Sequence, residues 1–328
     1  MPGMMYAAFV RNPRLRGVVK SFDATAALKV PGVQKVFKVR MGVFTTFREG
    51  VAVVANSTWA ALQGKKALVV EWDDTGFEHI NTADIYTRQQ ELLKTTEGFL
   101  KPYYESVKNL SFAEVQFETP IPTMWWRSVY ASTNGFAYES FLDEIAHAAG
   151  KDSLDLRRQY LQEERCQKLI DKMEEVSGWK NRKKNEGYGE AITECFSSTV
   201  GQVVKVSKDI NGKVKIDQVW AVMDCGWYVN PDIIRAQVEG SIVMGLGAAT
   251  IHEITFKDGL VEQRNFYDYK MPRITDIPPI EVHIMENDEN AGGVGEPGLP
   301  AFAPALTNAI FDLTGKRIRK LPFNLAEV

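Results

Sequence analysis

Glu296 stands in the run Ala291-Gly-Gly-Val-Gly-Glu-Pro-Gly298, a carboxylate set among glycines just before an apolar stretch. Gly293, Gly295 and Gly298 remove side-chain bulk so that backbone can approach a ligand, and Pro297 biases residue 296 away from the helical region. A carboxylate so placed is suited to moving a proton as a general base. The plain alternative is a solvated acidic loop leading into a helix with Pro304 in its first turn. Other candidate chemistry is weaker. Cys166, Cys195 and Cys225 are widely separated and form no Cys-x-x-Cys pair, so they make no four-thiolate iron–sulfur or zinc site. His79, His147, His252 and His283 lack metal-ligand spacing and read as surface or satisfied core residues. Asp224 beside Cys225 and Glu253 beside His252 have no third partner identifiable from sequence, and structural roles are favoured for both. Gly245-Leu-Gly-Ala-Ala-Thr250 lacks the third glycine of a dinucleotide fingerprint and lies inside a helical pattern, and no Gly-x-x-x-x-Gly-Lys-Ser/Thr loop occurs.

The elements that position Glu296 can be read from the apolar pattern. Short strands are predicted around Tyr6–Val10, Val18–Phe22, Val33–Val39, Val51–Ala55 and Ala67–Trp72, with helices over Asp23–Leu28 and after a Ser57 cap. A polar connector over 76–108 carries a helix from a Thr82 cap to Leu93. Leu110–Glu118 alternates as a strand. Three helical stripes follow, the first ending at Gly150, the second capped by Asp152 and the third ending at Gly178. Asn211-Gly212 and Asp258-Gly259 mark hairpins. Between them Asn230 caps a helix with Pro231 at its first position. Gly240, Gly245 and Gly247 each cost that helix about 1 kcal/mol relative to alanine, which implies close approach by a neighbouring helix or a ligand. The fold class expected is α+β, with one domain and connector over 1–100 and a second domain over 101–328.

Composition sets the outer bounds. The chain has 328 residues, 45% hydrophobic and 25% charged, with formal net charge −3, which fits an ordinary globular protein and argues against disorder or a nucleic-acid partner. No apolar run approaches the ~20 residues needed to cross a bilayer, so a soluble protein without an integral membrane segment is expected. Met1-Pro-Gly-Met-Met-Tyr lacks the basic start and apolar stretch of a secretory signal.

Several motifs in order resemble a known family. They are the Gly-Val-Gly-Glu-Pro loop, Asp224-Cys-Gly-Trp-Tyr-Val-Asn-Pro-Asp232, Arg235-Ala-Gln-Val-Glu-Gly-Ser-Ile-Val-Met-Gly-Leu-Gly247, the Trp125-Trp-Arg-Ser128 segment, Glu139-Ser-Phe-Leu-Asp-Glu-Ile-Ala-His147 and Gly315-Lys-Arg-Ile-Arg-Lys-Leu-Pro322. Together they resemble the molybdopterin-binding large subunits of the xanthine dehydrogenase and aldehyde oxidase family, most of all the isoquinoline 1-oxidoreductase beta-subunit type. Pro2-Gly-Met-Met-Tyr-Ala-Ala-Phe-Val10, Ser21–Val33 and Gly50–Ala61 look like that family's α/β-hammerhead domain. A large block between it and the Trp-Trp-Arg-Ser segment, with a Gly-Gly-Phe-Gly loop that grips the pterin, is missing, so the chain reads as an internally shortened member.

The resemblance implies an N-terminal hammerhead-like domain followed by a molybdopterin-binding α+β domain. It implies a molybdenum–molybdopterin cofactor, in a cytosine dinucleotide form among the options, and oxidation of an aldehyde or nitrogen heterocycle with water as oxygen donor. Glu296 matches the glutamate beside the molybdenum that takes a proton. Gln237 matches a glutamine bonded to the pterin, Arg127 and Ser128 match residues at the pocket, and Gly293, Val294 and Gly295 match the loop beside the cofactor. Two alternatives stay open: Gln237 as a surface residue, and the adjacent tryptophans beside Arg127 as core or interface anchors. An iron–sulfur small subunit carrying [2Fe–2S] is the expected partner, with a homo-oligomer or a companion chain as further options. Because relatives of this type are often exported, the compartment is cytoplasmic or periplasmic, with any leader missing from this chain. The other function class is a cofactor-free remnant, or one half of a split subunit, acting as a binding or scaffold protein.

Overall fold

A computed structural model describes residues 3–14, 16–43, 46–95, 99–101, 112–114, 119, 121 and 123–328. The chain divides into two compact units, Met1–Met124 with Ile254–Asn265 and Trp125–Glu253 with Phe266–Val328. The stretch near residue 100, where the sequence places the domain boundary, lies largely outside the described residues.

The first unit contains β1 (Tyr6–Arg11), β2 (Val18–Asp23), α1 (Thr25–Leu28), β3 (Val33–Val43), β4 (Thr46–Ala55), α2 (Thr58–Ala67), β5 (Val69–Asp73), α3 (Thr82–Thr95), β6 (Phe99–Lys101) and β7 (Phe112–Glu114). An antiparallel sheet runs β1-β4-β3, and β2 pairs with β5. The Ser57 hydroxyl accepts from the Ala60 N–H at 3.2 Å and caps α2 as predicted. Ala60, Ala61 and Gly64 of that helix are buried against the sheet. A Cβ at Gly64 would stand 2.7 Å from Val53 and 2.8 Å from Val33, so the helix seats only with glycine there. Helix α2 runs through Ala67, which delays the strand predicted at that residue to Val69. Thr82 is the first helical residue of α3 instead of its cap. Of the strand expected over Leu110–Glu118, β7 is the described part.

The second unit begins with α4 (Val129–Ala148), α5 (Ser153–Tyr160) and α6 (Glu164–Ser177), followed by β8 (Glu186–Cys195), β9 (Ser198–Lys208), β10 (Val214–Asp224) and α7 (Pro231–Thr250). The chain then supplies a hairpin to the first unit, β11 (Phe256–Lys257) with β12 (Leu260–Val261), and returns as β13 (Ile280–Ile284) and α8 (Phe302–Thr314). The sheet order is β13-β10-β9-β8, with β13 parallel to β10 and the other pairs antiparallel. Helices cover both faces. Ile234, Val238, Ile242 and Leu246 of α7 and Phe302, Leu306 and Ile310 of α8 pack on Val204, Val219 and Met223. Leu169, Ile170 and Met173 of α6 pack with Leu154, Val203 and Val222 on the other side. Burying one such large side chain contributes about 1.5–3 kcal/mol. Gly187 and Gly189 let α8 press onto β8, since a Cβ at either would lie within 2.3 Å of the α8 backbone.

An ion cluster ties α4, α5 and β8 together. Arg157 Nε donates to Glu190 Oε1 at 2.6 Å and its Nη1 to Glu139 Oε1 at 3.1 Å, while Glu139 Oε2 accepts from the Ile192 N–H at 2.7 Å. All three charged side chains are buried.

Candidate functional site

The glycine loop is fixed at both ends by contacts that glycine permits. At its start, the Gly292 N–H donates to Cys225 O and the Gly293 N–H to Phe196 O, both at 2.8 Å. A Cβ at Gly292 would stand 2.3 Å from Ser198 Oγ, and one at Gly293 2.8 Å from Phe196 Cβ. At its end, Gly298 lies against α7, where a Cβ would meet Ser241 Cβ at 3.0 Å, and its carbonyl accepts from Gln202 Nε2 at 2.6 Å. Glu296 is held between these anchors in the segment that precedes Pro297.

Two groups of Ser128 hold the glutamate. The Ser128 N–H donates to Glu296 Oε2 at 2.7 Å, and the Ser128 hydroxyl donates to Glu296 O at 2.8 Å. Ser128 is fully buried and left-handed at φ 69°, and Val129 follows at φ 49°. Left-handed non-glycine residues cost about 1–2 kcal/mol each, a strain that the surrounding contacts must offset. The turn aims an N–H at the start of α4 toward the carboxylate, where the positive end of the helix dipole also favours an anion. Glu296 Oε1 takes no donor among the described residues.

Arg127 does not pair with that carboxylate. Its Nε donates to Gly295 O at 2.9 Å, and its Nη2 donates to Gly295 O, to Gln237 Oε1 at 3.0 Å and to Gln237 O at 3.2 Å. Burial holds the guanidinium below its usual range, with the charge of Glu296 acting in the opposite direction. The arginine therefore joins the loop to α7 and fixes Gln237. The Gln237 amide nitrogen and the N–H groups of Val294, Gly295 and Glu296 take no protein acceptor among the described residues. A Cβ at Gly295 would meet nothing nearer than Gln237 Oε1 at 3.9 Å, so the ground beside it is open. Glu296, Arg127, Ser128, Gln237 and Gly295 thus come together. Gly293 instead faces Phe196, and the Val294 side chain packs on the core, so that only the backbone of Val294 is left to meet a ligand.

Sequence reasoning passed over the neighbours of this group. The turn joining β8 to β9 places Phe196 at φ 53° and Ser197 at φ 60°, a second strained non-glycine pair, and it carries the loop's first anchor. Cys195 beside it is buried, and burial, aided by the charge of Glu296, pushes its thiol up to about 12, so it stays protonated at neutral pH. No residue-type pattern marks such a turn, because two-residue hairpin turns of this kind favour Asn and Gly. Asp224 is bound to Arg165 at 2.7 and 2.8 Å and to Asn287 at 2.9 Å. Burial opposes its charge, yet those partners hold the carboxyl below its usual range, which makes it a structural anchor. His252 stacks on Tyr269, with ring centroids 5.3 Å apart, and burial lowers its pKa. A protein neighbour supplies the close approach expected at two of the three α7 glycines. Gly245 meets Phe302 at 3.0 Å and Gly247 the His252 ring at 2.3 Å, whereas a Cβ at Gly240 meets nothing within 4 Å.

Comparison with known proteins gives this geometry a lineage. A family model described as a molybdopterin cofactor-binding domain matches residues 129–278, which include α4, α7 and Gln237. The beta chain of isoquinoline 1-oxidoreductase from Brevundimonas diminuta is 30% identical over 212 residues. Over these stretches the chain is similar to the molybdopterin-binding xanthine dehydrogenase and aldehyde oxidase family. A nicotinate dehydrogenase chain of Pseudomonas putida is 29% identical over 224 residues. The two alignments cover 63% and 62% of this chain but 27% and 19% of those relatives, so the chain spans less than a third of either. The fold is also that of quinoline 2-oxidoreductase from Pseudomonas putida 86, with TM-score 0.76 at 11% identity over 99% of this chain and 94% of that one. The donors around Glu296 fit a molybdopterin: free backbone N–H groups and a primary amide, next to a loop without side-chain bulk, suit the oxygen- and nitrogen-rich edge of a pterin. Among the described residues no helix is long and apolar enough to cross a membrane.

Proposed function

We propose that this chain is a member of that family and serves as the molybdopterin-binding part of an oxidoreductase that oxidises an aldehyde or a nitrogen heterocycle with water as oxygen donor. The observation that carries this reading is the state of Glu296: one carboxylate oxygen is fixed by a backbone N–H and the other is open, with the nearby arginine engaged elsewhere. The bound cofactor supplies the acceptor for two electrons. Glu296 Oε1 takes the proton of the attacking water-derived oxygen. The Gln237 amide and the N–H groups of Val294 and Gly295 bind the cofactor edge, and Arg127 keeps loop and glutamine in register. Ser128 orients the carboxylate.

Names of relatives support the substrate class, since isoquinoline 1-oxidoreductase and nicotinate dehydrogenase are named for nitrogen heterocycles and a relative in Escherichia coli is named an aldehyde oxidoreductase. The finer assignments follow the same reading: a cytosine dinucleotide form of the cofactor, and a separate small subunit carrying [2Fe–2S].

Purification from a host that makes molybdenum cofactor, with metal and pterin assayed in wild type and Glu296→Gln, tests the proposal. Stoichiometric molybdenum in both, with oxidation of aldehydes or heterocycles reduced about 10²–10⁴-fold in the variant, is expected. Molybdenum in neither would overturn it in favour of a cofactor-free binding protein or half of a split subunit.

A further inference from the structure

The first unit holds a cavity of about 410 Å³ whose lining includes Arg11, Arg14, Arg16, Arg48 and Lys65. Such a concentration of cations needs explaining, because neighbouring arginines repel one another and folded proteins place them near carboxylates. Arg14 is explained: it pairs with Asp74 at 2.5 Å and donates to Asp258 O at 3.1 Å. Glu49 also borders the cavity, but its carboxylate accepts from the Val19 N–H at 3.1 Å and pairs with Lys38 at 2.8 Å. Arg11, Arg16 and Arg48 have no carboxylate partner among the described residues.

Three further observations point inward. Arg16 Nε is buried and has no hydrogen-bond partner, an unmet donor of the kind folded proteins avoid. Arg16 also sits in the left-handed region at φ 60°, so backbone strain accompanies its placement. Arg48 has its proton affinity lowered by burial first and then by Arg11 and Arg16, the mark of unrelieved repulsion. A multiply charged oxyanion would offset the repulsion among the three arginines and offer their guanidinium donors an acceptor, because planar guanidinium groups bind phosphate oxygens through paired N–H donors. The volume falls in the range of about 300–1,000 Å³ typical of small-molecule sites, which favours a small ligand over a flat protein surface.

We propose that this cavity binds a diphosphate group, held by Arg11, Arg16 and Arg48 with Lys65 at the edge. The site is independent of Glu296 and of molybdenum loading. The diphosphate comes either free, as pyrophosphate, or as part of a nucleotide.

The test is calorimetric titration of the full chain with sodium pyrophosphate at constant ionic strength, with sodium chloride as control, for wild type, Arg16→Gln and Arg48→Gln. Saturable 1:1 binding to wild type, weakened at least 10-fold in each variant, is expected. Because each substitution removes repulsion, both variants should melt no lower than wild type in the absence of the anion. Should either fail to fold, phenylglyoxal modification of wild type read by mass spectrometry replaces it, and pyrophosphate must slow modification of Arg16 and Arg48 specifically. Titration with ADP and CDP separates the sources: tighter binding than pyrophosphate assigns a nucleotide, equal or weaker binding a free diphosphate. No saturable binding, unchanged affinity in both variants, unprotected arginines, or preferential binding of a poly-glutamate peptide would overturn the proposal.

Discussion

Arg157 and Arg127 each lie beside glutamate in the second unit, and they serve opposite ends. Arg157 is sealed between Glu139 and Glu190, within hydrogen-bonding distance of both. Arg127 turns its donors to the carbonyl of Gly295 and to Gln237, leaving Glu296 with a backbone N–H and one open oxygen. In the first grouping one guanidinium bonds both carboxylates, and the result is a brace across two helices and a strand. In the second the guanidinium spends its donors on neutral carbonyl and amide oxygens, so one carboxylate oxygen stays open to a ligand. A glutamate near an arginine is therefore not informative by itself. What separates brace from site is whether the guanidinium reaches the carboxylate.

The largest effect should come from Arg157→Leu, which strands two buried carboxylates and should cost about 3–5 kcal/mol in denaturant unfolding. Arg127→Gln, at a half-buried site with no paired carboxylate, should cost about 1 kcal/mol. Equal losses would break the comparison. The next largest is a pH effect. Burial raises the Glu139 carboxyl to about 7, against an unfolded value near 4.5, while the Arg157 charge and the Ile192 N–H oppose the rise. Burial raises Glu190 as well, and the arginine stays charged. A folded pKa above the unfolded one means stability is fully present below pH 4.5 and is lost as pH climbs through about 7. Thermal melts should therefore fall between pH 5 and 8, by up to roughly 3 kcal/mol, and Glu139→Gln should flatten the profile. A flat wild-type profile would show that the brace does not titrate.

Smaller effects sharpen the description of the open grouping. Ser128→Ala removes the donor to Glu296 O but keeps the N–H on Oε2, so stability should drop about 1–2 kcal/mol while any oxidation rate changes only severalfold. A loss as large as that of Glu296→Gln would move the orienting role to the hydroxyl. Asn230 Oδ1 accepts from the N–H groups of Asp232 and Ile233 at 3.0 and 3.3 Å, and Asn230→Ala should cost about 1 kcal/mol in melting experiments without altering the metal content.

The parts legible in the sequence are those governed by local rules. The Asn230 cap with Pro231 at the first helical position, the Asn211-Gly212 hairpin and the Ser57 cap follow from neighbouring residues and stand in the structure as read. The glycine loop marked Glu296, and the family motifs marked Arg127, Ser128 and Gln237. Their mutual geometry was not legible, because the bonds from Arg127 and Ser128 to the loop span 168 positions and depend on a left-handed turn at a serine that no propensity favours. The brace was hidden for the same reason, since Glu139, Arg157 and Glu190 meet across 18 and 33 positions. Gly240 shows the limit in the other direction: a glycine in a helix invites an explanation by packing, and here no protein atom supplies one.

The chain passes between its two units three times, after residues 124, 253 and 265. During synthesis the first unit therefore lacks its β11–β12 hairpin, with the bonds from Phe256 to Thr82 and from Asp258 to Asn81, until the whole stretch from Trp125 to Glu253 of the other unit has been made. The second unit waits longer still for β13 and for Phe302 and its neighbours on α8. Neither can be completed and set aside while the other is made, in contrast to the usual N-terminal-first order of domain folding. One proteolytic nick between them also leaves two covalent tethers intact, so separating the units takes three cuts.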